Sequence, residues 1–224
     1  MVIRPFLPVN HRMLVRRQAS FYTWGMAPYE IELVGGHPAL DFLNTVHDWT
    51  EQPRRDRLVT FGDAVRFGEA AGVLERVEVR ALEGRDGGGE LTRLVALRDV
   101  LQRVTDALIG GRASSEADLE ALATTAVEVA SRTHLERVDG RLRRVIDVAD
   151  AGSAVLRLRI ADAALALLAS DDTERLKSCP ACGWFFVDTS RNRSRRWCSM
   201  STCGASAKSR RYYRRAKAAR AGDG

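Results

Sequence analysis

Apolar positions along this chain recur mostly at three- and four-residue intervals, a spacing that predicts helices rather than strands. From Pro38 they fall at Leu40, Phe42, Leu43, Val46 and Trp49, so a first helix is expected there, broken by Gln52-Pro53. Just upstream, residues 30–34 (EIELV) read as a short strand ended by Gly35-Gly36. Thr60 with Asp63 three residues later resembles a helix start, and Gly72 suits its end. Residues 84–89 (GRDGGG) form a loop. Leu91, Leu94, Val95, Leu101, Val104 and Leu108 trace a long amphipathic stripe up to Gly110-Gly111. Ser115 and Asp118 repeat the start signal ahead of Leu119, Leu122, Ala126 and Val129. Two β-leaning runs then flank Asp139-Gly140, the dipeptide of a tight hairpin. A last helix opens at Gly152-Ser153, carries Val155, Leu158, Ala161 and Leu165 to Leu168, and runs out at Ser170-Asp171-Asp172.

The pattern gives a mainly α (α+β) fold class. Residues 27–170 form a helical N-terminal domain with a small β-hairpin. Residues 171–220 form a small four-cysteine module with a basic helix. The boundary is placed near 171–175, where composition, charge and cysteine content all change. Residues 1–26 are expected to be a poorly ordered leader, since Pro5 and Pro8 interrupt any regular pattern and no signal-peptide apolar run is present. Met26 precedes the first patterned segment and is a candidate alternative start.

Length and composition narrow the class further. The chain has 224 residues, 45% hydrophobic and 29% charged, ordinary values for a domain that buries a core. No run of apolar residues is long enough for a membrane span, and the cytoplasm is the expected location. The net charge of +6 is unevenly placed: residues 171–224 hold 13 Lys/Arg against 5 Asp/Glu, whereas residues 1–170 hold 22 against 24. The positive excess therefore lies entirely in the last quarter, which points to a polyanionic partner.

All four cysteines also lie there, spaced Cys179-x2-Cys182-x15-Cys198-x4-Cys203. A disulfide framework would spread its cysteines along the fold, whereas two tight pairs with a 15-residue insert suit one tetrahedral zinc ion. Four thiolates close the coordination sphere, so the ion would be structural. A redox pair lacks the βαβ surroundings it needs, and an iron–sulfur cluster does not use this spacing. Trp184, Phe185, Phe186 and Trp197 are expected to fill the module's small core.

Between Arg191 and Arg220 there are eleven basic residues and no acid. Arg191, Arg193, Arg195 and Arg196 lie inside the insert, and Lys208, Arg210, Arg211, Arg214, Arg215 and Lys217 follow the last cysteine. These ten are the candidate nucleic-acid contacts, because a guanidinium fork matches phosphate and guanine edges. A helix over 206–220 would align Tyr212, Ala216 and Ala219 as a seam packed on the zinc module, leaving the cations outward. A solvated basic helix is the alternative reading.

The segment CPACGWFFVDTSRNRSRRWCSMSTCGASAKSRRYYRR, residues 179–215, resembles the CGNR zinc finger family, and GGHPALDFLNTV, residues 35–46, is similar to the ABATE domain found upstream of it. The resemblance implies a stress-linked bacterial transcription regulator with a zinc-bound DNA-binding end. One departure stands out: Ala205-Ser206 replaces the family's Asn-Arg after Cys203-Gly204. Ser206 is then the candidate helix cap.

His37, Asp41, Asn44, His47 and Asp48 form the dense polar cluster of the N-terminal domain. A helix N-terminus with caps and buried hydrogen bonds explains them better than an acid–base or metal site. No phosphate loop or nucleophile elbow appears, so no enzyme is expected. The leading expectation is a zinc-containing DNA-binding regulator whose N-terminal domain senses a ligand or partner or forms a homodimer. An RNA-binding protein and a protein-interaction zinc module are the alternatives.

Overall fold

A helix that buries residues on nearly every side organises the structure, a computed structural model describing residues 31–50 and 52–222, with side chains through 214. This is α7 (Val155–Leu168), in which Val155, Leu156, Leu158, Ile160, Ala161, Ala164 and Leu167 are all buried. Around it pack α1 (Pro38–Leu43), α4 (Glu90–Ile109) and α5 (Glu116–Ser131), with α2 (Phe61–Ala70) and α3 (Arg76–Leu82) beside them. The expected leader, residues 1–26, lies outside the described residues.

Several starts and stops follow from local chemistry. Thr60 accepts a hydrogen bond from Asp63 N while the Asp63 carboxylate accepts one from Thr60 N, a closed capping box at α2. Ser115 accepts from Asp118 N at α5. Gly72, at φ 68°, follows α2 in the left-handed conformation that favours glycine. The β1 (His134–Val138) and β2 (Arg141–Val145) hairpin turns through Asp139 and Gly140, both at positive φ, as the dipeptide predicts.

Other expectations need correction. The first helix stops at Leu43, because Asn44 leaves the helical path to bond a strand far along the chain, and residues 44–50 run irregularly. Residues 31–34 form no strand, having no ladder partner. The helix α3 was not foreseen: only Val79 and Leu82 of it are buried, too few to print a period. The short α6 (Val148–Ala151) and a 3-10 turn precede α7, so that helix begins at Val155 rather than Gly152.

Buried and half-buried arginines tie the helices together through carboxylates and carbonyls. Arg157 on α7 reaches Glu90 at 2.8 Å and Glu128 at 2.7 Å, and those bonds hold its guanidinium firmly charged despite burial. Arg159 bonds both oxygens of Glu78 and the carbonyls of Ile146 and Val73, and it holds the Glu78 carboxyl below its usual range against the opposing effect of burial. Arg98 on α4 anchors the 45–57 loop through Thr45 and Asp56.

After a 3-10 turn capped by Ser170 come β3 (Leu176–Ser178) and β4 (Phe185–Val187), an antiparallel pair with Lys177 opposite Phe186. Composition does change at 171–175, yet the segments on either side share one apolar core: Leu176, Phe185 and Val187 are buried with the side chains of α1, α4 and α7. The chain ends its described part in α8 (Ala205–Gly222). None of the described helices is long and apolar enough to cross a membrane.

Candidate functional site

The metal centre grows out of β3 and β4. Between these strands the chain makes a knuckle in which Gly183 N donates to Cys179 O at 2.8 Å and Cys179 N to Trp184 O at 2.7 Å. Gly183 takes φ 74°, and its bare Cα faces Trp49, whose Cβ would stand 2.8 Å from any added Cβ. Cys198 arrives from the insert, and Cys203 sits in a π-helical turn (Met200–Gly204).

Within this frame the four sulfur atoms lie within 4.8 Å of one another. Three of the separations are 3.6, 3.6 and 3.7 Å, for Cys182–Cys198, Cys198–Cys203 and Cys182–Cys203. A tetrahedron with metal–sulfur bonds of about 2.3 Å has edges of about 3.8 Å, so the thiols already stand at zinc-ligand spacing. Their electrostatics call for a cation as well. Backbone N–H groups of Cys198, Ala181 and Cys182 outweigh burial and bring Cys179 below its ordinary range. The Cys198 sulfur, burial and the nearby charges push Cys182 far up, while burial and the Cys182 charge push Cys203 up to about 12. Four thiolates this close cannot all ionise unless a multivalent cation offsets their repulsion. The donor set fits zinc in a closed, structural site.

Trp184 and Phe186 line this centre with Cys179 and Cys198, as expected, but Phe185 does not: it turns to the large helical core. Strand alternation is the reason, since 184 and 186 share one face of β4 and 185 and 187 the other. The run Trp184-Phe185-Phe186-Val187 carried the signal of a strand buried on both faces.

The cluster near α1 proves to be the seat of the finger. Asn44 donates to Phe185 O at 2.9 Å and accepts from Phe185 N at 2.8 Å, closing the free edge of β4 together with Gly35 O, which accepts from Val187 N. Trp184 Nε1 donates to Val46 O at 2.8 Å, and Trp49 N donates to Cys182 O at 3.0 Å. Arg57 lies over the Trp184 ring at 4.8 Å; burial lowers its pKa to about 10 while the Cys182 charge opposes the shift. His37 caps α1, accepting from Ala39 N, and the Asp48 carboxylate accepts from Thr50. Asp41 Oδ1 accepts from Gly35 N at 2.7 Å; burial lifts its pKa to about 6 against that bond and the charge of Arg195. His47 meets Arg55 at 3.3 Å.

The insert is built on Asp188, which is fully buried. It accepts from Lys177 Nζ at 2.6 Å, Ser190 N at 2.9 Å and Arg195 N at 3.0 Å. Although burial opposes it, Lys177 and Ser190 hold this carboxyl well below the usual range.

The ten candidate contacts separate into groups. Arg195 is taken up internally: its guanidinium bonds the carbonyls of Val34 at 2.8 Å, Trp197 at 3.1 Å, Val187 at 3.4 Å and Cys198, and stacks on Phe186 at 4.3 Å. Arg193 is exposed, 3.3 Å from Glu174. Arg191 is exposed, as is Arg196, which lies over the Trp197 ring at 4.9 Å. Lys208, Arg210, Arg211 and Arg214 are exposed along α8, and Arg215 and Lys217 follow on that helix beyond the described side chains. Tyr212 does not pack on the zinc module: it is 70% exposed, and Tyr213 beside it 71%. Nor does Ser206 cap the helix, for it lies within α8. Ser199 instead caps the preceding π turn, accepting from Thr202 N.

Two family models match the chain. Residues 175–216 match the CGNR zinc finger, and residues 36–171 match the family model ABATE, described as "Putative stress-induced transcription regulator". No curated protein gives a match to the chain. The chain belongs to the ABATE family and carries a CGNR zinc finger after the ABATE domain.

Proposed function

We propose that this protein is a cytoplasmic, non-enzymatic transcription regulator that grips duplex DNA with cations mounted on a single structural zinc site. The observation that carries this reading is the exposure of Arg191, Arg196, Lys208, Arg210, Arg211 and Arg214 in a stretch without any acidic residue, anchored at one end to the metal centre. Zinc would be held by Cys179, Cys182, Cys198 and Cys203, and it supplies rigidity rather than chemistry. With the insert fixed by Asp188 and the helix start fixed by the π turn, the cations lose little freedom when phosphate arrives. The polar cluster at α1 is occupied in capping and in seating the finger, which supports a non-catalytic reading. The ABATE domain then serves to sense a ligand or partner or to form a homodimer. The family's description points the same way.

Retention of random duplex DNA by the zinc-loaded protein, sequenced at two salt concentrations, tests this. An enriched motif with steep salt dependence is expected, each neutralised phosphate adding about −0.9 to the log–log slope. Preference for structured RNA over duplex DNA would replace DNA with RNA as the partner. Retention of neither polymer would overturn the reading.

A further inference from the structure

The helical domain displays a second basic element that the zinc finger does not account for. The residues of the β1–β2 hairpin are exposed along most of its length, and only its ends, His134, Val138 and Val145, are half-buried. Residues 132–145 hold five arginines against Glu136 and Asp139, within a stretch of chain that is otherwise net acidic. Arg144 pairs with Asp162 at 2.8 Å, and Arg132 bonds Asp150 O at 2.6 Å. The side chains of Arg137, Arg141 and Arg143 have no ionic or hydrogen-bonding partner among the described residues. The register sets Arg143 opposite Glu136 and Arg137 opposite Leu142, so these cations occupy both faces of the ribbon. A two-stranded ribbon with so little packing is marginal by itself in water. Three arginines kept solvated there need a reason other than stability.

We propose that this hairpin is a second phosphate-contacting arm, by which the ABATE domain itself touches the backbone of the DNA bound by the finger. The proposal rests on the DNA reading above. Charge complementarity selects the occupant: Arg141 and Arg143 share one face two positions apart and match successive phosphates, Arg137 reaches out from the other face, and a ribbon two strands wide can lie in a groove. The tight Asp139-Gly140 turn leaves no bulky loop at the tip. Such an arm ties the sensing domain to the DNA directly, so whatever binds the helical domain can alter affinity without acting through the finger.

The test compares three forms of the full zinc-loaded chain by fluorescence anisotropy on one random-sequence duplex over a salt series. They are the unaltered protein, Arg137→Gln/Arg141→Gln/Arg143→Gln, and Arg211→Gln/Arg214→Gln. These side chains are exposed, so circular dichroism and the melting midpoint should not move. The hairpin variant is expected to bind about tenfold more weakly at 0.1 M salt, with a log–log slope shallower by about 2 to 3. Unchanged affinity and slope in that variant, with both reduced in the α8 variant, would overturn the arm and leave the DNA reading standing. No binding by the unaltered protein would overturn both. Charged edges also guard ribbons against strand pairing. If the hairpin variant self-associates in sedimentation while binding DNA normally, the arginines are guards and the proposal fails.

Discussion

The helical body and the cysteine knuckle both have to offset the entropy of an ordered chain, and they do so with different materials. The body buries leucines, valines and phenylalanines from six helices, and it neutralises its few buried cations with paired carboxylates. The knuckle has two aromatic rings and four sulfurs, too little apolar surface to order fifty residues unaided. What joins them is the three-residue strand β4, whose alternate side chains enter the two interiors. Neither segment is complete alone, because one face of that strand belongs to each.

Removing the metal should break this comparison most severely. Zinc contributes about 10–16 kcal/mol in isolated finger peptides, so chelation at neutral pH, or Cys198→Ser, is expected to unfold the knuckle and release α8. The helical body should keep most of its far-UV circular dichroism but melt earlier, having lost the cover of Phe185 and Val187. An unchanged melting midpoint after complete metal loss, measured by atomic absorption, would show that the two interiors are independent.

Two neighbouring phenylalanines sharpen the point. Phe185→Ala and Phe186→Ala should each cost about 3–5 kcal/mol, but the loss should register in different measurements. The first should lower the melting midpoint of the helices with zinc affinity nearly intact. The second should weaken zinc binding in a competition assay more than it lowers that midpoint. Identical profiles would mean that the strand does not divide its faces.

The smallest expected effect concerns the seat. Asp41 has a folded pKa of about 6 against an ordinary 3.8. A carboxyl raised in this way stabilises the fold fully below its unfolded pKa, and that contribution disappears as pH rises through the folded value. Asp41→Asn keeps an oxygen for Gly35 N and removes the titration. The stability of the variant relative to the unaltered protein should therefore improve between pH 4 and pH 7, by at most about 3 kcal/mol. Denaturant titrations at the two pH values check the sign.

What could be read in the sequence was local or chemical. The Thr60–Asp63 box, the Ser115 cap and the Asp139-Gly140 turn involve residues within three positions of one another, and the cysteine spacing encodes its metal directly. Asn44 and Phe185 are 141 positions apart, so no periodicity could pair them. Arg195 looked like its basic neighbours, since composition cannot tell a guanidinium bonded to four carbonyls from one left in solvent. For the same reason Tyr212, at a sound helical spacing, does not reach the zinc module.

The way Asn44 holds the finger has a consequence for grafting. It grips the backbone of Phe185, not the ring, and Gly35 grips the backbone of Val187. Side chains of the finger can therefore drift while the clasp persists, but the finger is not a portable cassette. Moved to another scaffold without the stretch around Gly35 and Asn44, it would arrive with an open strand edge and two bare apolar side chains.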